Sequence, residues 1–184
     1  AMIGNLFGSM MAYAQDDVYI GLFGDKLIDV PMDRSIGILD FNKRSFNEGR
    51  RCGVSTEAGI YDFMRKVVRN KTKIDNIIVF SDCQIGSGKG YGGFTPWYGF
   101  SIRDKGPHFH ELFKEFRKIN PNANFIVCNL RQAGSTSVFD KTQRILNIAG
   151  WSEQIFDVIK EEGLKSEKAE LKTTRLFLYY YYRC

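Results

Sequence analysis

Asp82 closes an uncharged run, Ile77-Ile78-Val79-Phe80-Ser81, and a glycine-rich stretch follows it at once. Further upstream, Gly53-Val54-Ser55-Thr56 opens a helix-like segment. A buried strand that delivers a carboxylate at its C-terminal end, beside a hydroxyl at a helix start, is how an open α/β sheet assembles a ligand or metal site. Asp82, Ser55 and Thr56 are therefore the candidate oxygen ligands for a hard divalent cation. Each also has a plainer reading. An Asp after a strand is often a turn former or helix cap, and Ser55 or Thr56 can cap a helix by accepting a bond from an orphan backbone N–H.

Other chemistries are poorly served. Cys52, Cys83, Cys128 and Cys184 form no C-x-x-C pair, so structural zinc is not expected. Cys128 sits in a strand-like run and reads as a small core residue, whereas Cys83 follows Asp82 directly. His108 and His110 are the only histidines, and on a helix positions i and i+2 point apart. Neither a Ser/His/Asp arrangement nor a G-x-S-x-G elbow is present. Gly88-Lys89-Gly90-Tyr91-Gly92-Gly93 spells a literal G-x-G-x-x-G. A dinucleotide site needs that pattern to open a helix, but Pro96 and several aromatics follow it. A phosphate-binding P-loop fails as well, because Gly90 stands where the magnesium-binding Ser/Thr belongs. Contact with phosphate through Lys89 is the minority reading of this stretch.

The elements that must position these residues follow from periodicity. Residues 3–15 read as the tail of a helix, 17–23 and 26–30 as two strands of a hairpin around Gly24-Asp25, and 36–41 as a short helix. In residues 56–70, Ile60, Phe63, Met64 and Val67 mark one buried helix face. Residues 76–81 and 124–130 are apolar runs of the kind buried on both sides of a sheet. Residues 84–106 form a long aperiodic loop, and long loops in compact domains are often functional. Pro107 starts a helix with Phe109, Leu112, Phe113 and Phe116 on one face. Residues 144–149 predict a strand ended by Gly150, and Ser152 caps a helix bearing Ile155, Phe156 and Ile159. Alternating helices and short apolar strands imply an α/β fold, Rossmann-like and doubly wound, with a mostly parallel sheet and helices on both faces. The expected organisation is one domain over 1–162, then a charged linker and a Tyr-rich strand over 163–184.

At 184 residues, 43% hydrophobic and 26% charged, the chain can bury a real core. No apolar run reaches membrane-spanning length, and the start lacks the marks of a signal peptide. A cytoplasmic protein is expected, with no membrane partner. The net charge of +5 permits a nucleic-acid partner without requiring one. Lys43, Arg44, Arg50 and Arg51 are the candidate phosphate contacts, with Lys89; the plain reading of such clusters is a solvated face.

The order of these motifs resembles the von Willebrand factor A domain, and more closely the C-terminal domain of the Ro/TROVE RNA-binding proteins. Asp17 to Leu27 (DVYIGLFGDKL) resembles the family's second strand and turn, and Gly53-Val54-Ser55-Thr56 its hydroxyl-bearing loop. Ile77 to Asp82 resembles its fourth strand. Ile145 to Ile159 (ILNIAGWSEQIFDVI) resembles its last strand, Gly-aromatic turn and final helix, and is the pointer to the Ro branch. The resemblance covers residues 3 to about 162. It implies a metal-ion-dependent adhesion site in which Asp82 is the ligand after the fourth strand and Thr56 or Ser55 the hydroxyl ligand, with Mg²⁺ as the cation.

The family's D-x-S-x-S motif and the central first strand that carries it are missing. Three expectations follow. An upstream segment could hold them, together with an RNA-binding domain; another protein or a second copy of the chain could supply the strand; or Leu176 to Tyr182 could fill the central gap. The last is favoured, because an unfilled gap exposes two ladders of backbone groups. The expected function is a non-catalytic binding module of a Ro-like RNA-binding protein, with a partial or degenerate metal site. The rivals are an A-type domain that binds a protein ligand through a divalent metal, and a Rossmann-like enzyme acting on a phosphorylated substrate.

Overall fold

The computed structural model describes residues 2–53, 59–81, 109–130, 145–150 and 176–181, with helical positions at 154, 157, 158 and 161. In chain order the elements are α1 (Met2–Tyr13), β1 (Val18–Phe23), β2 (Leu27–Val30), α2 (Ile38–Gly49), α3 (Gly59–Asn70), β3 (Asn76–Ser81), α4 (Phe109–Ile119), β4 (Asn124–Asn129), β5 (Leu146–Ala149) and β6 (Leu176–Tyr181). A short 3-10 turn, Arg50–Cys52, follows α2. The fold is mixed α/β.

The strands form one sheet in the order β2-β1-β6-β3-β4-β5. β2 runs antiparallel to β1 as the second arm of a hairpin. Every other neighbouring pair is parallel. The tail strand thus lies in the middle of the sheet. Leu178 of β6 is the register partner of Ile20 on one side and of Ile78 on the other. β1 and β3 do not pair with each other, so among the described residues β6 alone joins the β2-β1 half to the β3-β4-β5 half.

Side chains alternate across a strand, and the two cores of the molecule follow that alternation. Ile77 and Val79 of β3 and Phe125 and Val127 of β4 share a core with Ile60, Phe63, Met64 and Val67 of α3. Phe109, Leu112, Phe113 and Phe116 of α4 complete it. The edge-to-face packing of Phe125 against Phe109 and Phe113, with centroids 6.2 and 5.5 Å apart, orders this layer. Ile78, Phe80, Ile126 and Cys128 belong to a second core with Ile20, Leu22, Ala12 and Phe41. Burying one such Phe or Ile is worth about 1.5–3 kcal/mol, so these two layers hold the strand ends in place.

α1 has no charged residue and meets the sheet through small ones, with Gly4, Gly8, Ser9 and Ala12 buried. A Cβ on Gly4 would stand 2.7 Å from Leu130 Cδ1. The Asn5 side-chain amide donates to the Asn42 carbonyl at 2.7 Å, tying α1 to α2. At the amino end of the sheet Asn120 is buried, with both ends of its side-chain amide hydrogen-bonded. Its Oδ1 accepts from the Ile74 N–H at 3.0 Å, and its Nδ2 donates to the Thr72 carbonyl at 2.9 Å.

Sequence periodicity differs from the structure most clearly at α2. A short helix over 36–41 is expected, whereas α2 spans twelve residues, Ile38–Gly49. Its inward stripe is Phe41, Ser45 and Gly49. That is a true i, i+4, i+8 face, but two of its three members are small and give no hydrophobic signal. The strand expected over 144–149 is seen as Leu146–Ala149. The expected loop 84–106 lies outside the described residues, as do Ser152 and the apolar face of the helix after it.

Candidate ligand site at the carboxyl edge

In an open α/β sheet, ligands bind outside the carboxyl ends of the strands, where the chain order reverses direction. In this sheet β1 and β2 build outward to one side, while β3, β4 and β5 build outward to the other. The reversal falls on β6. The edge above β6 is flanked by the turn after β1 and by the end of β3.

The turn after β1 is held against the loop that carries the candidate hydroxyls. The Gly24 N–H donates to the Lys26 carbonyl at 3.2 Å, closing the hairpin turn. The Lys26 N–H donates to the Cys52 carbonyl at 3.1 Å, and the Gly59 N–H to the Gly24 carbonyl at 2.9 Å. The segment from Gly53 to Gly59 is therefore pinned at both ends to one hairpin. Three glycines permit this closeness. A Cβ on Gly24 would lie 2.0 Å from the Gly53 carbonyl oxygen, and one on Gly59 2.7 Å from Lys26 backbone atoms. Gly53 has φ +83° and lies under the Asp25 carboxylate, 2.2 Å from where its own Cβ would be. Only glycine meets both demands at Gly53 without strain.

On the other flank, Ser81 is the last residue of β3 and is buried. Its carbonyl accepts from the Leu130 N–H at 2.9 Å, and the Asn129 carbonyl accepts from the Gly150 N–H at 2.9 Å. The carboxyl ends of β3, β4 and β5 are laced together by these bonds.

Asp82, Ser55, Thr56 and Lys89 lie outside the described residues. Ser81 precedes Asp82 at the carboxyl end of β3, and Gly53 and Gly59 bracket Ser55 and Thr56 beside the turn after β1. Among the described residues no three His, Cys, Asp or Glu side chains gather at one point.

Compared with family models, curated proteins and solved structures, the chain matches none.

The chemistry of the edge rests on its own residues. Asp25 is an oxygen donor there that sequence reading missed. It is exposed, and its carboxylate reaches over Gly53. The available signal was an acidic residue at the carboxyl end of a strand, which Gly24-Asp25 also satisfies as a plain turn. Cys52 lies beneath the same turn and is buried. Burial pushes its thiol up to about 11, against smaller opposing effects of Lys26 and Arg51, so it stays protonated at neutral pH. Cys128 is pushed up to about 12 by burial alone, as a core residue would be. Both thiols are thus held in the protonated form at neutral pH.

The four basic candidates on the α2 side are all exposed. Lys43 and Arg50 are seven positions apart, as are Arg44 and Arg51, so the helix and its 3-10 extension bring them to one side. Two of the four are already engaged. Arg44 pairs with Asp33 at 3.0 Å and Arg51 with Glu48 at 2.6 Å. Asp33 is held below the usual carboxylate range, first by its bonds from the Ser35 hydroxyl and amide, then by Arg44. Exposed pairs of this kind are weak, and a phosphate can displace the carboxylate.

Proposed function

We propose that the chain is a non-catalytic binding module of the von Willebrand factor A type, serving a Ro-like RNA-binding protein. Its ligand surface is the carboxyl edge above β6. One observation supports this reading most. β6 lies in parallel between β1 and β3, at the position where an A-type sheet carries its first strand, and this would complete a doubly wound, Rossmann-like sheet from the far end of the sequence. The order reversal then falls beside Ser81 and the pinned Gly53–Gly59 segment, the two places from which Asp82 and Ser55 or Thr56 would reach a common cation.

The cation that suits this donor set is Mg²⁺, a hard ion that takes oxygen ligands and keeps several waters. Few protein oxygens and many waters make a weak site. Isothermal calorimetry with Mg²⁺ or Mn²⁺ tests it on the full chain and on Asp82→Ala. Binding in the millimolar range that disappears in Asp82→Ala is the expected result. Equal binding by both proteins, or none by either, would reject a cation site at Asp82.

A contribution to RNA binding is the second reading, favoured by the seven-residue spacing that stacks Lys43 with Arg50 and Arg44 with Arg51 on one side. Half of that basic set is already paired with carboxylates, so its role is secondary to the edge.

A further inference from the structure

We propose that β6 is exchangeable between copies of this chain, so that two copies can each place their tail strand in the other's central gap. Among the described residues β6 makes the only ladders that join the two halves of the sheet, with Val18 to Phe23 on one side and Asn76 to Phe80 on the other. Remove it and β1 and β3 each present an unpaired, uncharged strand edge to solvent, the arrangement most prone to recruit a strand from elsewhere. The strand that fits the gap best is a second copy of Leu176–Tyr181, which offers the same register to the same partners.

The covalent connection allows it. Residues 162 to 175, 14 in number, separate Glu161 from β6. At full extension such a segment spans roughly 45–50 Å, at about 3.3–3.6 Å per residue. A six-stranded sheet is about 29 Å wide at about 4.8 Å per strand. The connection can therefore reach a neighbouring molecule's gap. Exchange of this kind remakes every ladder of the closed monomer without a new interface, so it is a low-cost route to a dimer. The ratio of dimer to monomer is then set by protein concentration while the gap is open, because filling from within the chain competes with filling from outside. In the exchanged dimer the carboxyl end of β6 beneath each ligand edge comes from the other copy, which ties ligand binding at that edge to assembly.

The test uses the full chain, refolded from denaturant over about a hundredfold range of concentration and sized by light scattering. The expected result is a dimer share that climbs with refolding concentration. Those dimers should survive about tenfold dilution for hours, because release requires β6 to leave two ladders. A second measurement fixes the topology. Val18 and Leu176 are register partners, so Val18→Cys and Leu176→Cys, placed on separate chains with Cys83 and Cys184 changed to Ser, should form a disulfide between chains after refolding together. The same two substitutions on one chain, refolded dilute, should form it within the chain. A monomer at every concentration would overturn the exchange, as would dimers that fall apart at once on dilution and yield no bond between chains. Failure of the bond even within one chain would overturn the central placement of β6, and the exchange with it.

Discussion

Gly24→Ala tests how the edge is built. The added Cβ would stand 2.0 Å from the Gly53 carbonyl oxygen and 3.1 Å from Cys52 Cβ. An ordinary carbon–oxygen contact needs a further separation of about 1.2–1.5 Å. The oxygen belongs to backbone, so no side chain can rotate away to make room. Parting the hairpin turn from the Cys52-Gly53 strap breaks the bond from the Lys26 N–H to the Cys52 carbonyl and strains that from the Gly59 N–H to the Gly24 carbonyl. Each is worth about 0.5–1.5 kcal/mol net, and a buried group left unpaired costs about 1–3 kcal/mol. The expected loss is about 2–4 kcal/mol, read from the guanidinium unfolding midpoint at neutral pH. Gly37→Ala is the matched control. Gly37 has φ −71° and nothing within 4 Å of its would-be Cβ, so the expected change is within about 0.5 kcal/mol. A Gly24→Ala protein as stable as the parent would refute the close approach of the turn and the strap.

Stability should fall in alkali. The Cys52 and Cys128 thiols are pushed up to about 11 and about 12 from an ordinary 9.0, and Tyr19 is also raised, first by burial and then by its bond to Asp29. The folded state holds these protons more tightly than the unfolded chain, so this stability is intact below pH 9 and drains as pH rises through the folded values. Guanidinium midpoints should hold from pH 7 to 9 and then drop, by at most about 1.4 kcal/mol per pH unit for each group; Cys128→Ala should flatten the drop, and an unchanged midpoint at pH 10.5 would contradict the burial of the thiols. For RNA, the basic set predicts affinity for a single-stranded oligonucleotide that falls as salt rises, with a log–log slope of about −0.7 per phosphate neutralised. Lys43→Ala with Arg50→Ala should cut that slope by about 1.4, and affinity indifferent to salt would reject a role for this side.

Much of the frame is legible in the sequence because the signals are large side chains at regular spacing. Ile60, Phe63, Met64 and Val67 announce α3, the four-residue stripe of α4 does the same, and all eight are buried. The uncharged runs of β3 and β4 show as strands covered on both sides. The apolar and aromatic run Leu176–Tyr181 cannot rest in water, and it lies between β1 and β3 as β6. What escapes periodicity is carried by small residues and tertiary closeness. α2 buries Ser45 and Gly49, which no apolar pattern reports. The pinning of Gly24, Gly53 and Gly59 depends on backbone approaching backbone across a long stretch of sequence. The pairing of Arg44 with Asp33 depends on where α2 lies, so the basic candidates read freer in the sequence than they are.

β6 closes the middle of the sheet, and native-state hydrogen exchange measures that most directly. If β6 pairs on both sides, amides within 176–181 exchange only through global opening, as slowly as those of β3 and β4. Exchange of the 176–181 amides at the rate of open loops, while β3 and β4 stay protected, would contradict it.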